Sequence, residues 1–159
     1  MPRAPFQVLV LPFRRRAVEL EYALFRRADL GYWQGIAGGG EDDEQPLAAA
    51  RREAWEEARI PLAATYVPLA TSSSVPVLEI HVSARGHWPR NLYVIPIHAF
   101  AVDCGAVEIA LSAEHSAYNW LPYAEAARRV RWDSDRTALW ELDQRLQQDD
   151  LLPTRHETT

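Results

Sequence analysis

The sequence predicts an α/β sandwich (α/β/α) in which helices cover a mixed β-sheet. Three observations predict it. Strand-like runs come first, one helix interrupts them, and two helices follow, an order that suits helices packed over a sheet. Residues 6–13 and 92–102 are near-continuous apolar runs, as strands buried on both faces are. The 159 residues suit one domain and can enclose a real core. That domain is expected to span residues 1–152, with a polar, frayed tail over 153–159.

Residues 6–13 read as a buried strand, rich in Val and Leu and bounded by prolines. Arg14, Arg15 and Arg16 suggest a basic turn. In residues 18–27, Glu19, Glu21 and Ala23 alternate with Val18, Leu20, Tyr22 and Leu24, which makes a second strand and a hairpin. Arg26 and Arg27 end it on opposite faces, so at most one reaches a given site, as a surface charge or as an anion clamp. Residues 28–35 form a loop in which Trp33 is either core or faces a ligand. Two strands are expected over 64–71 and 75–83, separated by a serine-rich turn. Gly86 and Pro89 break regular structure in residues 85–91. There Arg85, His87, Trp88 and Arg90 either form a solvated hairpin tip or supply stacking and phosphate contacts. The run 92–102 reads as a central strand, and 107–111 as a short one. Glu114 and His115 sit in a polar turn before a strand over 118–121. Residues 122–130 form a short helix. Ser134 caps a longer one, whose apolar face is Ala138, Leu139, Leu142 and Leu146.

Composition narrows the function. The formal charge is −5, with 17 basic and 22 acidic side chains, which disfavours a nucleic-acid polymer as partner. No apolar run approaches the ~18 residues of a membrane span. The first residues carry their charges after the apolar run and lack a small-residue cleavage site, so no signal peptide is expected. Cys104 is the single cysteine and has no internal disulfide partner, which fits a reducing cytoplasm. It reads as packing rather than as a nucleophile.

The chemistry concentrates in residues 38–60. Pro46 suits a first helical position and Pro61 blocks continuation. Between them Glu53, Glu56 and Glu57 stand at i, i+3 and i+4, on one helix face. Leu47, Ala50, Ala54 and Ala58 form a neighbouring apolar stripe of mostly small side chains, fit to lie against a sheet. A solvated face is one reading, with Arg52–Glu56 an ordinary i,i+4 pair. Glu53 and Glu57, however, are like charges at i,i+4, a pairing that costs stability unless something positive lies between them. A hard divalent cation prefers such clustered oxygens. Upstream, Gly38, Gly39 and Gly40 read as a glycine-rich turn that feeds the helix and lets backbone approach metal or substrate closely. Arg52, eight residues after Glu44, is placed to pair with it and lock the glycine segment to the helix.

Gly38, five residues, Glu44, seven residues, then R-E-A-W-E-E-A-R-I from Arg52 resembles the signature box of the Nudix hydrolases. A chance match at Gly38, Glu44, Arg52, Glu53, Glu56 and Glu57 is on the order of 10⁻⁸ per start at ordinary residue usage. One position departs from the family: Arg59 stands where glycine is usual. The expectation is that the helix runs on to Ile60 with Arg59 in solvent. Beyond the box, R-R-A-D-L-G-Y-W-Q-G-I-A-G, then S-A-E-H-S-A-Y-N-W-L, then R-W-D-S-D-R-T-A-L resemble the bacterial dihydroneopterin triphosphate pyrophosphatases. That resemblance implies Mg²⁺, with Mn²⁺ as substitute, held by Glu53, Glu57 and Glu114, with Glu56 beside them. It implies substrate contacts from Arg26 and Ser134, to which Trp33, Gly38 and Arg85 are added by position. The implied reaction releases pyrophosphate from a pteridine or nucleoside triphosphate. Oxidised nucleoside triphosphates, dinucleoside polyphosphates or nucleotide sugars are the alternative substrates, and a non-catalytic ligand sensor is the alternative role. The partner is a small phosphoanhydride, and the chain a monomer or homodimer.

Overall fold

The structure is a computed structural model and describes residues 2–151. The expected tail lies outside them. The elements are β1 (Arg3–Arg16), β2 (Glu19–Arg27), β3 (Trp33–Gln34), β4 (Ile36–Glu41), α1 (Pro46–Ala58), β5 (Tyr66–Pro76), a 3₁₀ turn (Val77–Glu79), α2 (Val82–Arg85), β6 (Val94–Asp103), β7 (His115–Leu121), α3 (Tyr123–Arg129) and α4 (Asp133–Gln147).

All the strands join one mixed sheet. β1 lies parallel to β6 on one edge, and on the other pairs antiparallel with β4 and, nearer its end, with β2. Because strand side chains alternate, β1 feeds two cores. Val8 and Val10 point to one face, where they meet Phe25, Ile36, Phe100 and the alanines of α1. Leu9, Leu11 and Phe13 point to the other, against Leu24 and the α4 stripe Ala138, Leu139, Leu142 and Leu146. The α/β/α sandwich is therefore present, with the mixed sheet between α1 and the α3–α4 pair. Among the described residues no helix is long and apolar enough to cross a membrane.

Several local expectations are corrected. Arg14–Arg16 belong to the ladder, not to a turn: Arg14 pairs with Glu21 across the strands at 3.1 Å, and Arg16 faces Glu19. The reversal falls at Ala17, whose φ is +57°. Gly38–Gly40 also lie in a strand, β4, and the turn comes after it, at Asp42. The serines expected as a turn, Ser72–Ser74, continue β5 past a bulge. Cross-strand pairing with β6 overrides their turn preference. At the bulge the Glu141 carboxylate accepts from the Ala70 and Thr71 N–H groups at 2.7 and 2.6 Å. Residues 85–91 run on from the end of α2 rather than tip a hairpin, and most of them are exposed. Trp88 is buried with Val77, Ile80 and Ile95, and its indole N–H donates to the Arg3 carbonyl at 2.8 Å. Ser134 does not cap α4, which starts one residue earlier behind Trp132 and without a side-chain cap.

The end of α1 differs most usefully. The helix stops at Ala58, and Arg59 takes a left-handed conformation, φ 57° and ψ 31°. The reason lies on both sides of it. Ile60 is fully buried and must turn inward at once, while Pro61 disfavours helical geometry at Ile60. The last helical carbonyls are also claimed from elsewhere: Glu57 and Ala58 accept from the N–H groups of Ser112 and Ala110 at 3.2 and 3.1 Å. Those two bonds use the strap 107–114 as a C-terminal cap for α1, which is why no strand forms at 107–111. Arg59 does point to solvent, its guanidinium 5.0 Å from the Trp55 ring centroid. An arginine in left-handed geometry costs about 1–2 kcal/mol. Arg59→Gly is therefore expected to raise stability by about 1 kcal/mol, some ~2–4 °C in Tm, with turnover unchanged. A urea midpoint at or below the parent's would show that the stacked guanidinium outweighs the strain.

Candidate active site

α1 lays its small face on the sheet and turns two of its three carboxylates toward a cleft of about 1230 Å³. Glu53 and Glu57 line that cleft, and so does Glu114 from the strap. The strap reaches it through the bonds to the helix end just described and through the Ala28 N–H, which donates to the Glu114 carbonyl at 2.9 Å.

Arg52 holds the acidic helix to β4. Its Nε and Nη2 donate to the two Glu44 oxygens, both at 2.9 Å, and Nη2 also donates to the Gly39 carbonyl at 2.8 Å. Nη1 donates to Glu53 at 2.8 Å and to Glu56 at 3.2 Å. The Arg52–Glu44 pairing is thus present, and the guanidinium holds Glu44 below the usual carboxylate range. Gly38 touches Glu53 so closely that a Cβ there would stand 2.1 Å from its Cδ.

The carboxylates are strained by one another. Burial raises the Glu53 pKa despite Arg52 beside it. Burial, with the charges of Glu53 and Glu114 added, pushes Glu57 up to about 10. Glu57 Oε2 is buried without a hydrogen-bond partner. Among the described residues no three carboxylate, imidazole or thiolate groups stand pre-assembled as a cage. What suits a cation is the donor set itself: hard oxygens, mutually repelling, one with a lone pair left unused. Glu53, Glu57 and Glu114 would hold it. Glu56 faces solvent and is absent from the cleft lining, so it supports through Arg52.

The other predicted residues divide. Gly38, Arg85 and Ser134 line the cleft, with Arg85 Nε anchored on the Ile80 carbonyl at 2.8 Å. Arg26 and Trp33 do not. Arg26 is exposed and its Nε donates to the Gly31 carbonyl at 3.1 Å. Trp33 packs against the α4-side core, under the Arg129 guanidinium at 5.0 Å. Their neighbours take the places expected of them. Arg27 enters the cleft, tied to Asp29 and to the Tyr32 hydroxyl. Tyr32 and Trp132 form an edge-to-face pair at 5.6 Å that walls it. Strand alternation over Arg26 and Arg27 carried the signal that one of the two would enter the cleft, but not which one. Arg3 was missed altogether. It lines the cleft with Nε and Nη2 buried and unpartnered, and burial lowers its pKa against the pull of Glu53.

Comparison with known proteins agrees with the fold. The NUDIX domain model matches residues 3–140. The dihydroneopterin triphosphate diphosphatase of Escherichia coli K12 is 26% identical over 137 residues, 86% of this chain and 91% of its own. The Haemophilus influenzae protein of the same name is 26% identical over 116 residues, 73% of each chain. Among solved structures, a NUDIX hydrolase from Listeria monocytogenes has a TM-score of 0.82 at 35% identity, across 95% of this chain and 100% of its own. The E. coli dihydroneopterin triphosphate pyrophosphohydrolase shares the fold at a TM-score of 0.71 and 22% identity, across 89% of this chain and 98% of its own. With the domain model spanning most of the chain and the box carried on α1 at the cleft, this protein belongs to the Nudix hydrolase family.

Proposed function

We propose that the protein is a Mg²⁺-dependent pyrophosphohydrolase that converts a pteridine or nucleoside triphosphate, with dihydroneopterin triphosphate as the reference substrate, to the monophosphate and pyrophosphate. The observation that carries this reading is Glu57: a buried carboxylate with a free oxygen, beside Glu53 and Glu114 in the lining of one cleft. The curated relatives' names supply the substrate class. Mn²⁺ is the expected substitute metal. A cytoplasmic setting belongs to the same proposal and rests on the lone buried thiol of Cys104.

When bound, Mg²⁺ supplies charge neutralisation for the phosphate chain and acidifies water for attack on phosphorus. The residues do the rest. Arg52 and Glu44 fix Glu53 by clamping the helix to β4. Arg27 offers a guanidinium to the phosphates, in the role expected of Arg26. Tyr32 and Trp132 give a planar ring system an aromatic wall, the role expected of Trp33. Arg85 and Ser134 add polar contacts at the cleft edge. A cleft carboxylate then accepts the proton released as water attacks.

A substrate panel assayed with and without Mg²⁺ tests the substrate class. Dihydroneopterin triphosphate is expected to lead in kcat/KM. A dinucleoside polyphosphate that outran every triphosphate by about tenfold or more would instead place the enzyme among housecleaning hydrolases.

The metal reading has its own pH signature. The ordinary value for Glu57 is 4.5, and the folded value is raised to about 10. The folded, metal-free protein therefore keeps a proton that the unfolded chain has lost. Its contribution to stability is full below 4.5 and falls as pH rises toward 10. A bound cation must displace that proton, so Mg²⁺ affinity should strengthen by up to about tenfold per pH unit in this window. Calorimetry in buffers of different ionisation enthalpy measures both the Kd and the proton released. A Kd flat with pH would remove Glu57 from the ligand set.

A further inference from the structure

We propose that His115 is a positioning residue for Glu57, with its Nδ1–H aimed at the carboxylate oxygen Oε2. The inference rests on the metal-binding reading above and adds a residue to it. His115 and Glu57 are both almost fully buried, with side-chain exposures of 2% and 3%. Nδ1 of the one and Oε2 of the other are each buried without a hydrogen-bond partner. They stand 3.9 Å apart. Two complementary orphans that face each other are each other's natural partner, since leaving either unmade carries a desolvation cost. A shift of under about 1 Å brings them to hydrogen-bond distance.

The surroundings hold the ring where this needs it. The strap bonds to the α1 carbonyls of Glu57 and Ala58, so the backbone that carries His115 is fixed to the backbone that carries Glu57. His115 opens β7 opposite Arg27, and the Phe25 ring lies against the imidazole at a centroid distance of 5.4 Å. The imidazole cannot swing away without losing its contact with Phe25. With the hydrogen on Nδ1, the ring donates to one oxygen of Glu57 and turns the carboxylate plane, leaving the remaining lone pairs toward the cleft. His115 lines the same cleft, and in this role it acts through Glu57 rather than on metal or substrate.

Asparagine places its amide nitrogen near the position of Nδ1, and glutamine near that of Nε2. Mg²⁺ titration calorimetry without substrate should give His115→Asn a Kd within about threefold of the parent. His115→Gln should bind about tenfold or more weakly. Equal losses in both variants, or parent-like binding by His115→Gln, would overturn the role. A parent that takes up no Mg²⁺ would instead overturn the metal reading itself. Nitrogen-15 shifts of the parent imidazole read the same contact without any variant at His115. Nδ1 should carry the hydrogen, and its shift should move in Glu57→Gln; a hydrogen on Nε2 contradicts the proposal.

Discussion

Glu57→Gln is expected to lower kcat by at least ~10²-fold while the protein remains folded. The substitution keeps the volume of a buried side chain and removes its charge. In the metal-free protein burial and the charges of Glu53 and Glu114 disfavour ionisation there, so the carboxyl must hold a proton, at a cost above pH 4.5 that glutamine does not bear. Removing it should leave Tm at or above the parent's at neutral to alkaline pH. Lost turnover with unharmed stability is the signature of a residue kept for its chemistry. The parent's Tm should rise with Mg²⁺ concentration and the variant's should rise much less. Unchanged turnover would sink the assignment of Glu57 to the metal.

Gly38→Ala should cost about 10²-fold in kcat for a different reason. A methyl at Gly38 would lie 2.1 Å from Glu53 Cδ, 2.3 Å from Oε1 and 2.5 Å from Oε2. These atoms end a flexible side chain, so the clash is relieved by moving Glu53 rather than the backbone. Stability should therefore change by less than about 1 kcal/mol. Glu53 would lose its bond to Arg52 and its place beside Glu57. The defect should appear as weaker Mg²⁺ binding together with a lower kcat. Parent-like Mg²⁺ affinity in Gly38→Ala would show that Glu53 is free to move without consequence.

The legible parts of this site were those set by short-range geometry. The i, i+3, i+4 spacing of Glu53, Glu56 and Glu57 fixes a helix face whatever surrounds it, and an Arg52–Glu44 pair closes over only eight residues of chain. Pro46 marks the helix start by its own covalent shape. The two cores of the sheet follow from alternation along residues 6–13. What escaped depends on partners far away in the chain. The phase of Arg26 and Arg27 is set where β2 pairs with β3 and β7, beside an irregularity between the two arginines. No periodicity within β2 reveals it. Arg59 looked like a residue that would extend the helix. Its left-handed turn is imposed by the burial of Ile60 and by the Ser112 and Ala110 N–H groups that cap α1. Ser72–Ser74 read locally as a turn, and sheet pairing holds them extended. Trp132 takes the cleft position expected of Trp33 because it stands at the start of α4, while Trp33 packs against the α4-side core.

The central claim is that the carboxylates of α1 and the strap use a divalent cation to cut a triphosphate between its α and β phosphoryl groups. Phosphorus-31 NMR of a reaction on dihydroneopterin triphosphate tests it most directly. With Mg²⁺ present, the account predicts pyrophosphate and monophosphate appearing in equal amounts from the first turnovers, and no release in excess chelator. Stepwise orthophosphate, or pyrophosphate release that continues at the same rate in chelator, would contradict it.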